Sequence, residues 1–430
     1  MQDTAQPVNS KGRVLAASMI GTTIEFYDFY IYATAAVLIF PHLFFPPGDD
    51  TAATLQSLAT FAIAFLARPF GSALFGHFGD RIGRKATLVA ALLTMGISTV
   101  VIGLLPTYHD IGITAALLLA LCRLGQGIGL GGEWSGAVLL ATENAPENKR
   151  AWYGMFPQLG APFGLILANT SFILLSMMLS EQDFMSWGWR VPFLASALLV
   201  IVGLYIRLKL HETPAFQRVL DKQEKKEVPI AAVFKNHWKV LLVGILAAVS
   251  AFVVFYITVV FSIAWGTKAL GYSRGDFLKM TTLATLAFAI FIPISAIMAE
   301  KLGRKTTSII VCVIVAILGL ILPILLVKGN MASVFAFLCL GMATIGLSYG
   351  PLGTVLSEIF PTSVRYTGSS LAFNFAAILG ASFTPMIATS LAKDYGLAYV
   401  GFYMVAAAAL SLIAFAFLKE TKDIDVNRQL

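Results

Sequence analysis

Five ionisable residues sit inside apolar runs: Glu25, Asp28, Arg68, Arg123 and Glu133. A charge at such a place is expensive and marks a functional site by default. Glu25 and Asp28 are three residues apart and share one helix face. Burial disfavours a charged carboxyl and a nearby guanidinium favours it, so a carboxylate passing between the two conditions takes up and releases a proton. The pattern predicts that Asp28 or Glu25 carries a coupled proton, Asp28 first, with Arg123 as its electrostatic partner. A static ion pair tying the first and fourth runs together is the competing reading. Arg68 precedes Pro69, beside a local break in helix hydrogen bonding, and suits either an anionic substrate or a tether for Glu25. Two buried guanidinium groups suit a carboxylate or a phosphonate. Glu133, followed by Trp134, lies nearer the end of its run and reads first as a structural or gating charge, with proton coupling second. Candidate cavity residues are Tyr27, Tyr30, Gln126 and Gln158 in the first half, and Tyr256, Trp265, Tyr349 and Asn374 in the second, with Asn169 as an outsider. A lone Tyr or Trp near a helix end also reads as an interface anchor.

These residues need long apolar elements to hold them. Of 430 residues, 58% are hydrophobic and 12% charged, and mean hydropathy is +0.81. A soluble chain has about 45–50% apolar and about 25% charged residues. The composition excludes a soluble enzyme, a disordered chain and a nucleic-acid-binding domain. A bilayer core takes about 20 apolar residues as helix. Twelve runs meet that need: 14–40, 53–78, 86–106, 112–139, 152–178, 190–209, 238–264, 278–299, 306–327, 332–356, 367–391 and 398–418. The expected fold is an all-α polytopic membrane protein with twelve transmembrane helices. A polar stretch after the sixth run divides it into a bundle over 1–210, a cytoplasmic linker over 211–236 and a bundle over 237–430. With both termini inside, 22 of the 30 basic residues fall in cytoplasmic segments, six outside and two (Arg68 and Arg123) within spans. Basic residues mark the cytoplasmic side, so the net charge of +7 is a topology signal and no nucleic-acid partner is expected. Residues 1–10 lack the order of a cleaved signal. Cys122, Cys312 and Cys339 give neither a disulfide framework nor metal spacing, and the five His lie near membrane edges.

The halves echo each other. Asp80-Arg81-Ile82-Gly83-Arg84-Lys85 recurs as Glu300-Lys301-Leu302-Gly303-Arg304-Lys305. Glu143-x-x-Pro146-x-x-x-Arg150 recurs as Glu358-x-x-Pro361-x-x-x-Arg365. His211-Glu212-Thr213 recurs as Lys419-Glu420-Thr421. Paired repeats are how many secondary transporters build a site at the midplane.

Here a resemblance becomes specific. Gly76-x-x-x-Asp80-Arg81-x-Gly83-Arg84-Lys85 resembles the signature loop of the major facilitator superfamily. Glu25-Phe26-Tyr27-Asp28-Phe29, Arg68-Pro69-x-Gly71 and Arg123-x-x-Gln126-Gly127-x-x-x-Gly131-Gly132-Glu133-Trp134 are narrower. Together they resemble the metabolite:proton symporter family, which includes shikimate, α-ketoglutarate, citrate and proline/betaine transporters, and the resemblance covers nearly the whole chain. It implies the two-bundle facilitator fold, both termini inside, a multi-pass place in the bacterial cytoplasmic membrane and a working monomer. It also favours a cytoplasmic gate built from Gly76, Asp80, Arg81, Gly83, Arg84, Lys85, Glu143 and Arg150, with Glu300, Arg304, Glu358 and Arg365 as the second-half copy. On the charges alone, the basic residues of that loop only set topology.

Gly127-x-Gly129-x-x-Gly132 matches a dinucleotide fingerprint on paper, yet it lies in an apolar run with no preceding strand. A small-residue face for close helix packing is the better reading. No phosphate-binding Gly-x-x-x-x-Gly-Lys-Ser/Thr string occurs, so the expected coupling ion is a proton and no cofactor is expected. The expected function is that of a proton-coupled symporter that imports a small anionic or zwitterionic metabolite by alternating access. The alternative is a proton-coupled antiporter that exports a small anionic drug of the fosfomycin type, supported by Gly154, Pro157, Gly160, Pro162 and Gly164 in the fifth run. A sensor or scaffold ranks third, and an enzyme lower still, because no nucleophile–base pair or metal cluster appears.

Overall fold

The computed structural model describes residues 11–48, 50–82, 84–143, 145–146, 148–209, 229–361 and 364–422. Within these, only the backbone is described at 76–82 and 84–88 and at six scattered positions, among them residue 143. Of the proposed gate residues Gly76, Asp80, Arg81, Arg84, Lys85 and Glu143 only the backbone is therefore described, and Gly83 and most of the linker lie outside the described residues. The linker's last eight residues form a helix, Pro229–Asn236.

The described chain is helical between short connecting loops. The first half holds α1 (Lys11–Leu38), α2 (Asp50–Ile82), α3 (Arg84–Leu104), α4 (Ile113–Thr142), α5 (Arg150–Met178) and α6 (Arg190–Lys209). The second holds α7 (Trp238–Lys268), α8 (Arg274–Leu302), α9 (Arg304–Leu325), α10 (Met331–Glu358), α11 (Arg365–Asp394) and α12 (Leu397–Phe417). Among the described residues nine helices are long and apolar enough to cross a membrane, and ten if the bent pair Glu181–Gly188 and Arg190–Ile206 is one span. Helix α1 does not meet that measure, and the apolar part of α3 is the shorter Val89–Leu104. The outward faces carry Phe70, Met178, Leu198 and Phe417, all well exposed. Apolar side chains outside and satisfied helical backbone inside are what a bilayer requires of a multi-pass protein.

Helices end where the backbone leaves the helical region. Gly303, at φ +99°, separates α8 from α9, and Gly396, at φ +93°, precedes α12. Only glycine adopts such angles at little cost. Helices α7 and α11 each contain a single π turn, Ile257–Phe261 and Ile378–Ser382.

The sequence repeat reappears in the packing. In the first half α1 packs on α5, α2 on α4 and α3 on α6; in the second α7 packs on α11, α8 on α10 and α9 on α12. Across the halves α5 packs on α8 and α2 on α11, again a matched pair. Glycines set the closest approaches. A Cβ on Gly71 of α2 would collide with the Ile128 carbonyl of α4, and one on Gly127 with the backbone of Ala64. The glycine pattern of α4 thus serves helix packing, as the small-residue reading expects.

Candidate functional site

The two halves meet around one central cavity. Glu25, Phe26, Phe29 and Tyr30 of α1 line it with Arg68 of α2, and Leu130 and Trp134 of α4 complete the first-half side. The second half supplies Ala251, Phe252, Phe255 and Tyr256 of α7, Tyr349 of α10, and Phe373 and Asn374 of α11. The cavity is about 40 Å³, against roughly 10–15 Å³ for one water. A metabolite enters only if the halves part.

Both mouths are held by contacts between the halves. At one end Glu300 Oε1 of α8 accepts from the N–H groups of Ala151 and Trp152, at 2.6 and 3.3 Å. These are first-turn donors of α5, a place that favours negative charge. Arg304 Nη1 pairs with Glu300 at 3.0 Å, and its Nε with Glu358 at 3.3 Å. Glu358 also accepts from Thr421 at 2.6 Å and lies 4.0 Å from Arg150 of the other half. Glu300, Arg304, Glu358 and Arg150, four of the predicted gate residues, thus form one cluster. Arg365 is buried near Phe360, to whose carbonyl its Nε donates at 3.3 Å. At the far end Arg274 pairs with Glu181 at 2.8 Å, and Lys268 donates to the hydroxyl of Thr54.

At the cavity wall and beside it the halves are stitched by neutral groups. Trp134 and Phe373 stack with ring centroids 3.6 Å apart. Trp134 Nε1 donates to Gln158 at 3.0 Å, and Gln158 Nε2 donates to the Tyr349 carbonyl at 3.0 Å. Asn374 Nδ2 donates to Ser72 at 2.9 Å and to the Gly131 carbonyl at 3.0 Å. Tyr366 donates to the Gly132 carbonyl.

The second carboxylate of α1 lies away from the cavity. Asp28 is fully buried and accepts from Ser196 of α6 at 2.6 Å and from Thr99 of α3 at 3.2 Å. Among the described residues it forms no ion pair, so its electrostatic partnership with Arg123, expected from sequence, does not rest on a direct contact. Arg123 instead donates from Nη1 to Gln126 at 2.9 Å, and Gln126 Nε2 donates to Thr99 at 2.8 Å. The two charges are joined through two neutral side chains.

Both buried guanidinium groups rest on aromatic rings. The Arg123 Cζ lies 4.6 Å from the Phe29 centroid, 4.0 Å from Tyr32 and 4.9 Å from Phe61. The Arg68 Cζ lies 4.8 Å from Phe29 and 4.6 Å from Phe65. Nε and Nη2 of Arg123 and Nε of Arg68 have no hydrogen-bond partner among the described residues. Desolvated cation–π contacts of about 2 kcal/mol each offset part of the cost of holding an unpaired cation in the interior. Phe29 serves both cations.

Of the predicted residues, Glu25, Arg68, Tyr30, Tyr256, Tyr349 and Asn374 converge on the cavity. Arg123, Tyr27, Gln126 and Gln158, offered as substrate contacts, do not line it. Tyr27 points away and donates to the Pro192 carbonyl at 3.0 Å, while Gln126 and Gln158 are spent on the bonds above. Glu133 is buried at the first turn of its helical segment and is also off the lining. Asn169 accepts from Thr34 at 3.4 Å. Sequence reasoning missed Thr99, Ser196 and the phenylalanine walls. Thr99 carried a weak signal, as one of few hydroxyls in an apolar helix.

The sugar (and other) transporter family matches residues 14–238 and 230–429. The chain is 55% identical over 421 residues to the inner membrane metabolite transport protein YhjE of Escherichia coli, covering 97% of this chain and 96% of that one. It is 33% identical to the shikimate transporter of the same organism, with 95% of each chain covered. It is 32% identical to the proline/betaine transporter of Salmonella typhimurium, covering 95% of this chain and 83% of that one. Among solved structures, the partially occluded inward-open conformation of the xylose transporter XylE from E. coli superposes with a TM-score of 0.75. It shares 18% identity, over 96% of this chain and 99% of that one; at that identity the likeness shows the fold alone.

Proposed function

The chain belongs to the sugar (and other) transporter family of the major facilitator superfamily, and from that premise we propose a proton-coupled symporter of a small anionic or zwitterionic metabolite, such as an organic acid. It works by alternating access in the bacterial inner membrane, with twelve spans and both termini inside. The observation that carries the reading is the cavity between the halves. It offers one guanidinium, one carboxylate and aromatic walls, while a second carboxylate lies sealed behind it.

Arg68 supplies a bidentate partner for a substrate carboxylate. Glu25 and the rings of Tyr30, Phe255 and Tyr349 suit the opposite, cationic or apolar end of a zwitterion. Asp28, shut away from substrate and bonded to Ser196 and Thr99, is the proton carrier. Once loaded, the halves rock about the cavity and exchange the contacts at one mouth for those at the other. The inner-membrane relative at 55% identity supports the location, and the shikimate and proline/betaine relatives support the substrate class.

The test is proton movement in reconstituted vesicles loaded with a pH-sensitive dye. Gradients of monocarboxylates, dicarboxylates, shikimate-like acids, betaines and phosphonates are imposed in turn. Symport predicts that protons follow one of these substrates in its own direction. Protons moving against the substrate would establish exchange and the export of an anionic drug. No proton movement with any of them would overturn proton coupling.

A further inference from the structure

The bonds between Asp28 and Arg123 leave one hydrogen with a choice. Arginine has donors only, so Arg123 Nη1 at 2.9 Å requires Gln126 to present its Oε1, which turns Nε2 toward Thr99 at 2.8 Å. The Thr99 oxygen must therefore accept, and its single hydrogen goes elsewhere. Two acceptors are in reach: Asp28 Oδ2 at 3.2 Å and the Met95 carbonyl of its own helix at 3.0 Å. Charged Asp28 accepts that hydrogen. Protonated Asp28 competes for it less well, and the hydroxyl turns to Met95.

Resting on the reading of Asp28 as proton carrier, we propose that Thr99 and Gln126 are positioning residues that make Asp28 and Arg123 one hydrogen-bonded unit, with the Thr99 hydroxyl as its switch. The unit meets the cavity at Phe29, whose ring faces both Arg123 and the cavity residue Arg68. Besides Asp28, the titratable groups on the apolar stretches around it are Glu25, Tyr27, Tyr30 and Tyr32 in 14–38 of α1, Arg68 in 51–75 of α2, and Cys122, Arg123 and Glu133 of α4. Across the cavity stand Tyr256 and Tyr349. Helix α3 from Val89 to Leu104, α5 from Gly154 to Met178 and α6 from Val191 to Leu204 carry none. From those faces the described hydrogen bonds bring only the neutral hydroxyls of Thr99 and Ser196 to Asp28, and the Gln126 amide of α4 reaches it through Thr99.

The test is infrared titration of the buried carboxyl band in the full-length protein in lipid, with no ligand added. Asp28→Asn identifies the band. Thr99→Val keeps the shape and removes the hydroxyl, and the midpoint is expected to move by about one pH unit, a tenfold change in proton affinity. Thr99→Ser is expected to restore the wild-type midpoint, a rescue that a packing role would not produce. Gln126→Leu is expected to move the midpoint as well; where it fails to fold, the two Thr99 variants decide. An unmoved midpoint in Thr99→Val would overturn the unit while leaving Asp28 as the carrier. A buried carboxyl band whose amplitude and midpoint are both unchanged in Asp28→Asn would overturn the carrier reading itself.

Discussion

Phe29 is the residue on which the electrostatics of the first half converge. Two guanidinium groups face its ring, at 4.8 and 4.6 Å, whereas Phe65 serves only Arg68 among the described contacts. Phe29→Leu is expected to destabilise the protein by about 3 kcal/mol, combining lost packing with two weakened cation–π contacts. Phe65→Leu should cost less. Thermal unfolding of the two variants in one detergent checks the order, and equal losses would show that the cations do not depend on the ring. Such residues were not legible in the sequence. The chain holds 32 Phe, and the same residue type faces outward at Phe70 and Phe417 and inward at Phe29 and Phe373. Polar exceptions were legible, because Glu25, Arg68 and Asn374 stand out in apolar runs. What the runs concealed was partnership: three-residue spacing put Asp28 and Glu25 on one helix face, yet Glu25 lines the cavity and Asp28 turns to α3 and α6.

At the scale of elements, the approach of α2 to α4 sets the depth of Arg68 and Arg123. Gly71→Ala puts a methyl group against the Ile128 carbonyl, and backbone cannot yield as a flexible side chain would. The expected loss is about 2–3 kcal/mol. Gly21→Ala, in the interior of α1 with open space around it, should instead stabilise by up to about 1 kcal/mol through the lower entropy of the unfolded chain. Melting temperatures that move in opposite directions would confirm that glycine serves packing in α2 and only permits flexibility in α1. The lengths and positions of the apolar runs located the helices to within a few residues. They did not foresee the π turns of α7 and α11, since one extra residue in a turn leaves the hydrophobic run unbroken.

For the whole molecule, the repeat was the most informative signal. Offsets near 220 residues anticipated that each half would use the same helix pairings, and the cross-half contacts α5–α8 and α2–α11 follow the same symmetry. Glu300, in the second-half copy of the gate motif, holds the first turn of α5. Removing it with Glu300→Ala is expected to weaken that mouth by about 1–2 kcal/mol, roughly a 5–30-fold rise in the open-to-closed ratio. Spin labels at Lys149→Cys and Lys301→Cys, one on each half, would report a larger long-distance population in the variant. An unchanged distribution would mean that the other contacts between the halves close this mouth unaided.

The most direct test of proton coupling is accumulation driven by a pH gradient in vesicles containing Asp28→Asn, with the substrate found by the dye screen and with folding verified by the melting curve. The account predicts that accumulation falls to the level of vesicles without protein. Full accumulation by the folded variant would contradict it and move the proton to another group.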